Sequence, residues 1–395
     1  MNRLYFGDNL DWLPQIEIGS VDLVYLDPPF NRQASFNILY RSPSGDQTAQ
    51  YRAFEDTWRW GPASDYAFAH VKQSGSPAFD TLVSLNNYMQ KSDLMAYLTM
   101  MTARLLELRR VLKPSGSLFL HCDASASHYL KIILDQIFGA GTFRNEIIWR
   151  RSMGKSLMTR RLPTNHDVIL FYSGDEAVWN GDHAFAAYDV DDLPTKAAAK
   201  YAQKDADGRR YQLTSLINPN QNRPNLTYEF LGVTKVWRWT QERMQAAHEA
   251  GLIVQTAPGR VPRFKRYLDE QRGLPLDDVW TDIPPINSQA QERLGYPTQK
   301  PLALLGRIIK LATNPGDVVL DPFCGCGTAV EAAQKLGRRW IGIDVTVLAI
   351  DLVEKRLRRL KLERDADYTV EGIPLDVDGA QACSSLIRTR FSFGL

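Results

Sequence analysis

The chain has 395 residues, of which 44% are hydrophobic and 23% are charged, and its formal net charge is +2. This composition is ordinary for a globular enzyme, and the length suits one large domain with an insertion, or two domains. No stretch approaches the roughly 20 apolar residues that a membrane span needs. The first residues also lack the apolar core of a signal peptide, so we expect a cytoplasmic protein with no membrane contact, nucleoid-associated if bacterial.

The four cysteines predict neither a metal site nor a disulfide framework. They show no Cys-x-x-Cys spacing, and no His-x-x-x-His pattern accompanies them. Cys324 and Cys326 could in principle bind a soft metal, but the sequence offers no second ligand pair. We interpret both as small loop residues.

The N-terminal residues predict a compact β-α-β unit, with strands over 3–6 and 21–26 and a helix over 9–16. The second strand is apolar almost throughout, as in a parallel strand buried on both faces. Residues 27–30, directly after this strand, are Asp-Pro-Pro-Phe. Each proline holds φ near −65° and pushes the preceding residue out of the helical region, so this segment is rigid.

The next region holds an expected insertion over 31–92, with a short helix or two, and then returns to regular elements. The predicted elements are a helix over 93–112, a strand over 117–121, a helix over 125–138 and a strand over 167–172. His121 and Asp123 end the first of these strands, but they are equally compatible with structural roles, and we assign them no function.

Two segments combine positive charge with aromatic residues, a mixture that suits phosphate contact and base stacking. We expect a basic loop over residues 144–161 and a second basic cluster over 260–267. The candidate DNA-binding residues are Arg150, Arg151, Lys155, Arg160, Arg161, Arg263, Lys265 and Arg266. For either segment alone, the alternative is a solvated basic surface.

Regular alternation fails over residues 174–293 and resumes near residue 297, which indicates an inserted module. The predicted C-terminal elements are helices over 302–312, 328–336 and 345–362 and strands over 317–320 and 339–343. The tail over 365–395 is weakly patterned, and we expect it to pack along the surface or to fray.

A glycine-rich loop after the strand over 317–320 indicates a ligand that contains adenosine. Gly325 and Gly327 let backbone N–H groups approach a ligand that a Cβ would block, just before a helix opens. Asp344 follows Gly325 by 19 residues, where an acid can accept hydrogen bonds from ribose hydroxyls. Val330 replaces the third glycine of a dinucleotide fingerprint, which argues against a dehydrogenase. A purely structural turn remains the alternative.

The segment after the strand over 21–26 suits chemistry on an amino group. The Asp27 carboxylate and the Pro28 carbonyl lack donors, so together they can accept both hydrogens of a planar exocyclic amino group. Phe30 can stack on a base and stabilise positive charge at its nitrogen. The alternative is a strand-ending turn with an exposed acid. Because ligands of open α/β sheets bind beyond the strand C-termini, we expect residues 27–30 and 321–328 to share one cleft.

Taken in order, these motifs resemble the amino-group DNA methyltransferases that use S-adenosylmethionine, with the permuted motif order of the β group. The resemblance implies an α/β, Rossmann-like methyltransferase fold with a central mostly parallel sheet. It places the catalytic domain over 1–173 and 294–364, with 31–92 as an insertion, and a target-recognition insert over 174–293. It assigns catalysis to Asp27, Pro28, Pro29 and Phe30, and cofactor binding to Asp8, Thr298, Lys300, Asp321, Phe323, Gly325, Gly327, Thr328 and Asp344.

Within that resemblance, Asp8 contacts the adenine of the cofactor, Asp344 the ribose, and Thr298 and Lys300 line the methionine end. Thr298 has a second interpretation as the N-cap of the following helix. No metal is implied.

The implied activity is methylation of an exocyclic amino group on a base flipped out of double-stranded DNA. Adenine N6 is favoured over cytosine N4 because Asp rather than Ser opens the catalytic motif. No cysteine follows a proline, which argues against carbon-5 methylation. An RNA or protein amide methyltransferase, or a non-catalytic DNA-binding relative, remains the alternative. The resemblance leaves open a homodimer and a restriction endonuclease partner.

Overall fold

The computed structural model describes residues 1–30, 34–41, 48–56, 58–152, 162–186, 188, 195–287 and 289–373. The chain forms two compact units. The larger comprises Met1–His183 with Asp277–Leu395, and the smaller comprises Ala184–Leu276. In sequence, the smaller unit falls inside the predicted insertion over 174–293. Within the described part of the chain, no helix is long and apolar enough to cross a membrane.

A nine-stranded sheet forms the centre of the larger unit. Its strands are β1 (Asn2–Phe6), β2 (Val21–Leu26), β3 (Leu112–Cys122), β4 (Phe143–Arg150), β5 (His166–Ser173), β6 (Val279–Trp280), β7 (Val318–Asp321), β8 (Arg339–Asp344) and β9 (Tyr368–Glu371). Their order across the sheet is β6-β4-β5-β3-β2-β7-β8-β1-β9. β5 runs antiparallel to β3 and β4, and the other neighbouring pairs are parallel. The predicted mostly parallel α/β sheet is confirmed.

β2 and β7 lie side by side although they come from opposite ends of the chain. Leu23 pairs with Val319 and Val24 with Leu320. Every residue of both strands is buried, which explains why each reads as an apolar run rather than as an alternating pattern. Because the two strands run in the same direction, the segments that follow them leave the sheet at the same edge.

The helices of the larger unit are α1 (Asn9–Trp12), α2 (Pro62–Gln73), α3 (Ala78–Met89), α4 (Asp93–Val111), α5 (Ser127–Leu134), α6 (Leu302–Ala312), α7 (Thr328–Lys335) and α8 (Val347–Arg359). α4 begins where the Ser92 hydroxyl accepts a hydrogen bond from Met95 N at 3.2 Å, and α8 is capped in the same way by Thr346. Most of α4 is buried and supplies a large share of the core.

The N-terminal insertion contains more regular structure than we predicted. Strands Ala34–Arg41 and Thr48–Asp56 pair as an antiparallel hairpin, and α2 and α3 follow it. The two helices agree with the expectation of a short helix or two. The hairpin was not predicted.

Several predicted boundaries are wrong, each for a local reason. The helix predicted over 9–16 stops after α1, because Pro14 cannot donate to the helical ladder and clashes with the turn before it. The helix predicted over 125–138 gives way after α5 to a π-helical turn, Asp135–Gly139.

Two further expectations need correction. The predicted basic loop over 144–161 begins as strand β4, since the run Ile147, Ile148, Trp149 favours a strand more strongly than the flanking arginines oppose it. The C-terminal tail does not begin as a frayed segment, because β9 adds to the sheet beside β1 and buries Tyr368.

The smaller unit has a sheet and a core of its own. Its four-stranded antiparallel sheet has the order Ile253–Val254, Arg263–Tyr267, Arg210–Ser215 and Gln203–Lys204. A hairpin of Thr227–Phe230 and Val233–Val236 and a helix, Gln241–Glu249, accompany the sheet. The core contains Leu216, Phe230, Trp237, Met244 and Ile253.

Candidate active site

A cleft opens at the edge of the sheet where β2, β7 and β8 end. Its lining includes Asp27, Pro28, Pro29, Phe30, Tyr296, Thr298, Lys300, Asp321, Phe323, Gly325, Thr328 and Asp344. The empty volume is ≈ 850 Å³, including the part open to solvent, which is within the roughly 300–1,000 Å³ range of small-molecule sites. The cleft therefore contains the predicted catalytic segment and most of the predicted cofactor residues.

Asp27 and Phe30 present different chemistry to this cleft. Asp27 keeps 18% of its side chain exposed, whereas Phe30 is buried, with 6% of its surface accessible. Because two prolines separate them, the backbone between a carboxylate and an aromatic ring has little freedom. The segment can thus place an acceptor and a stacking surface at a constant separation.

Lys300 is an ion-pair partner of Asp27, a role that the sequence did not indicate. Its Nζ donates to Oδ2 of Asp27 and lies 3.4 Å from the carbonyl oxygen of Thr298. The same Nζ lies 5.4 Å from the centroid of the Phe30 ring. The structure therefore places Lys300 beside the predicted catalytic segment, and its place at the methionine end of the cofactor stays a prediction.

Thr298 has φ +61°, a left-handed conformation that is uncommon for a β-branched residue. Such strain is concentrated at ligand and active sites. The alternative interpretation as an N-cap is wrong, since the N-cap of α6 is Pro301 and Leu302 N donates to the carboxylate of Glu292 at 2.9 Å.

The glycine-rich loop is held by Asp344. One carboxylate oxygen accepts from Gly325 N at 2.9 Å, and the other accepts from the backbone and hydroxyl of Thr346 at 2.9 and 2.8 Å. A Cβ on Gly325 would lie 3.2 Å from the Tyr296 ring, and one on Gly327 would lie 2.8 Å from Val353. The loop consequently needs glycine at both positions to keep this shape.

The start of α7 adds hydrogen-bond donors to the cleft. Its N-cap, Gly327, has no side chain to satisfy the first N–H groups of the helix. Thr328 is the first helical residue and lines the cleft. A helix N-terminus of this kind favours electron-rich oxygen atoms of a ligand.

The charges that line the cleft favour a positively charged ligand. Asp27, Asp321 and Asp344 are acidic, and Lys300 is the basic side chain among the described lining residues. Burial raises the pKa of Asp321 well above its ordinary value, and the charges of Asp27 and Asp344 raise it further. Burial also raises the pKa of Asp344. A bound cation would stabilise these carboxylates in their charged form, so the residues present fit an adenosyl ligand with a sulfonium centre.

Asp8 does not lie among the residues that line the cleft. Its carboxylate accepts from Leu10 N at 3.0 Å and pairs with Arg104 at 2.7 Å. Asp8 and Arg104 line a second cavity, together with Trp58 and Tyr66. The proposed contact of Asp8 with adenine thus stays a prediction.

The predicted DNA-binding residues fall into three groups. Lys155, Arg160 and Arg161 lie outside the described residues. Arg150 ends β4 and donates to Thr281 O at 3.3 Å, and Arg151 pairs with the buried Asp167 at 2.7 Å. In the smaller unit, Arg263 and Arg266 are exposed, whereas Lys265 pairs with Asp205 at 2.7 Å.

Three residues of the site were not assigned a role from the sequence. Tyr296 packs beside Gly325, and the Thr346 hydroxyl binds Asp344. The Asp-x-Thr spacing at the start of a predicted helix could have indicated the second contact. His121 stacks near Phe30 with a ring-centroid separation of 5.8 Å, and no short motif could have indicated that contact.

Comparison with known proteins identifies one family, and the similar proteins agree with it. A model described as DNA methylase, of the N6/N4 type, matches residues 21–355. The Type II methyltransferase M.EcaI of Enterobacter cloacae is 32% identical over 266 residues, 66% of this chain and 57% of that protein. The Mod subunit of the Type III restriction-modification enzyme StyLTI of Salmonella typhimurium is 26% identical over 93% of this chain and 54% of its own length.

The Type II methyltransferase M.BamHI of Bacillus amyloliquefaciens is 22% identical, over 91% of this chain and 57% of that protein. The chain thus spans a little more than half the length of these three relatives.

Proposed function

Because the chain belongs to the N6/N4 DNA methylase family, we propose that it transfers a methyl group from S-adenosylmethionine to an exocyclic amino group in double-stranded DNA. The observation that carries this proposal is the pairing of β2 with β7. It brings an Asp-Pro-Pro-Phe segment and a glycine-rich loop into one cleft. Neither segment alone would distinguish an enzyme from a structural turn.

The cofactor half of the cleft would be formed by residues that bind and orient. Asp344 would accept from a ribose hydroxyl through Oδ2, which has a second lone pair beyond its bond from Gly325 N, whereas Oδ1 already accepts two hydrogen bonds from Thr346. The α7 N-terminus and the glycines allow close backbone approach. When bound there, S-adenosylmethionine supplies an electrophilic methyl group. The residues that we assign to this role are Thr298, Lys300, Asp321, Phe323, Gly325, Gly327, Thr328 and Asp344, with Asp8 as a further candidate.

The catalytic half would hold the target amino group. Lys300 occupies Oδ2 of Asp27, so Oδ1 and the Pro28 carbonyl are the acceptors that we assign to the two N–H groups. Phe30 stacks on the base, which must leave the duplex because its amino group is unreachable while it is paired. After transfer, the methylated nitrogen loses a proton, and we assign Asp27 as the group that receives it.

Adenine N6 is the proposed target atom, with cytosine N4 as the alternative. Asp at the first position of the catalytic segment supports adenine. The two bases present amino groups of the same geometry, so the cleft itself does not favour either of them. Digestion of the methylated DNA to nucleosides, followed by mass spectrometry, separates N6-methyladenine from N4-methylcytosine.

The smaller unit is proposed to read the DNA sequence. Arg263 and Arg266 are exposed on one strand of its sheet, and arginine contacts both phosphates and guanine edges. The relatives include Type II methyltransferases and a Type III Mod subunit, which supports a restriction-modification system as the setting.

The deciding experiment incubates the protein with methyl-labelled S-adenosylmethionine and unmethylated double-stranded DNA, with RNA and a protein mixture in parallel. Incorporation into DNA alone is expected. Incorporation into RNA or protein would support the alternative methyltransferase classes, and cofactor binding without transfer to any substrate would support a non-catalytic relative.

A further inference from the structure

His121 lies directly beside Phe30, the side chain that we propose to stack on the target base. It stands in β3 and is fully buried, with 0% of its surface accessible. Its ring centroid is 5.8 Å from that of Phe30, and the two planes are inclined by 24°. This is an offset, nearly parallel stack. A substitution of His121 would consequently remove a packing contact of the Phe30 ring.

Both ring nitrogens of His121 have partners that set its orientation. Nδ1 lies 3.1 Å from the Tyr25 hydroxyl, and Nε2 lies 3.2 Å from Oδ2 of Asp167. Because a carboxylate only accepts, Nε2 carries the proton, and Nδ1 of the neutral ring then accepts from Tyr25. Burial lowers the pKa of His121, which agrees with the neutral ring.

The partners of His121 are themselves held in place. Oδ1 of Asp167 pairs with Nε of Arg151 at 2.7 Å, and the edge of Trp149 meets the His121 ring at 5.8 Å and 84°. Tyr25, Asp167 and Trp149 belong to three different strands of the sheet. The ring therefore cannot rotate or tilt without breaking contacts on several sides.

We propose that His121, oriented by Tyr25 and Asp167, is a positioning residue that holds the Phe30 ring at the angle needed to receive a flipped base. This inference rests on the proposed function. It assigns His121 no contact with DNA or cofactor. Its effect on catalysis passes through Phe30, because a small misplacement of the stacking surface moves the amino group relative to Asp27.

A double-mutant cycle on methyl transfer tests this dependence. The variants are His121→Leu, Phe30→Leu and both together, assayed on unmethylated plasmid DNA with labelled S-adenosylmethionine. His121→Leu is expected to lower kcat/KM for DNA about tenfold or more, since misplacement near a reacting centre is costly. In the Phe30→Leu background the same change is expected to cost no more than about twofold, because the two residues act as a unit.

Three further measurements separate positioning from folding. The stoichiometry of S-adenosylmethionine binding counts folded sites, so each kcat is expressed per binding site. His121→Gln retains a donor for Asp167 and is expected to recover part of the lost activity. Tyr172→Phe removes a hydrogen bond between β5 and Asp135 away from the cleft, and it is expected to leave kcat per site unchanged.

The outcomes are distinguishable. If the wild-type protein transfers no methyl to DNA, the proposed function fails and this inference fails with it. Should the wild-type protein be active while the two leucine substitutions act additively, only the inference is overturned. The same holds if activity per cofactor site in His121→Leu equals that of the wild type.

Discussion

In the proposed function, Asp27 would orient a substrate amino group while it remains beside a cation. The Lys300 ammonium binds one carboxylate oxygen and thereby limits the rotation of the other. The pair links the catalytic segment to the residues before α6, so the geometry of the acceptor depends on two distant parts of the chain.

Replacing Asp27 or Asp344 by asparagine should affect different quantities, kcat in the first case and cofactor affinity in the second. Asp27→Asn is expected to lower kcat on the order of 10²–10³-fold, as when an oriented polar group at a reacting centre is lost. Its affinity for S-adenosylmethionine should be nearly unchanged. Asp344→Asn is expected to weaken cofactor binding about tenfold or more, because it loses hydrogen bonds to a charged group. Titration calorimetry and single-turnover kinetics give both quantities, and Asp123→Asn, outside the cleft lining, is the control.

Retained turnover in Asp27→Asn would contradict the catalytic role of Asp27. Unchanged cofactor affinity in Asp344→Asn would contradict the ribose contact.

The contacts of Asp27 show what a sequence can and cannot give at this scale. The chemistry of Asp27, Pro28 and Phe30 follows from their types and order. The Lys300 contact joins residues 273 positions apart, and no local pattern encodes it. Arg151 illustrates the same point, because its charge predicted a DNA contact and no local pattern indicated its pair with the buried Asp167.

Secondary-structure elements were predictable where one physical signal dominated. β2 is apolar except for Asp22, and β7 is apolar except for its last residue, Asp321. α6 ends at the predicted residue because a Pro-Gly stop follows. β4 and β9 were missed because charge or short length hid a strand that pairing with a neighbour stabilises. Such pairing is a property of the sheet rather than of the segment.

Alanine at Gly306, inside α6, and alanine at Gly327, the N-cap of α7, should change the free energy of unfolding in opposite directions. Gly327 has φ +77°, and its added Cβ would lie 2.8 Å from Val353, so Gly327→Ala is expected to cost about 1–3 kcal/mol of unfolding free energy. Gly306 lies inside α6 with open space around it, so Gly306→Ala is expected to gain about 0.5–1 kcal/mol. Urea unfolding measures both, and a Gly327→Ala protein as stable as the wild type would contradict the strained loop.

At the scale of the whole molecule, the buried Asp167 makes stability depend on pH. Burial alone would raise its pKa, but the hydrogen bond to His121 and the charges of Lys300 and Arg151 lower it from the ordinary 3.8 to about 2. The folded-state pKa is depressed, so this contribution is present above about pH 4 and is lost as the pH falls toward 2. It amounts to about 2 kcal/mol, since one pKa unit corresponds to about 1.4 kcal/mol.

Asp167→Asn should therefore destabilise the protein at pH 7 and differ less from the wild type at pH 3. Denaturant unfolding at the two pH values measures this. Asp282→Asn breaks a more exposed pair with Arg307 and should change stability by less than about 1 kcal/mol at either pH. A difference for Asp167→Asn that is constant with pH would exclude the depressed pKa.

In the proposed function, exposure and pairing separate the candidate phosphate contacts of the smaller unit. Arg263 is exposed, whereas Lys265 on the same strand is paired with Asp205. If Arg263 contacts a phosphate, Arg263→Ser should reduce the slope of log binding constant against log salt by about 0.9. Lys265→Ser should change that slope much less, because its charge is already compensated within the protein. Filter binding of plasmid DNA across a salt series measures both slopes, and equal changes would show that the intramolecular pair opens on DNA.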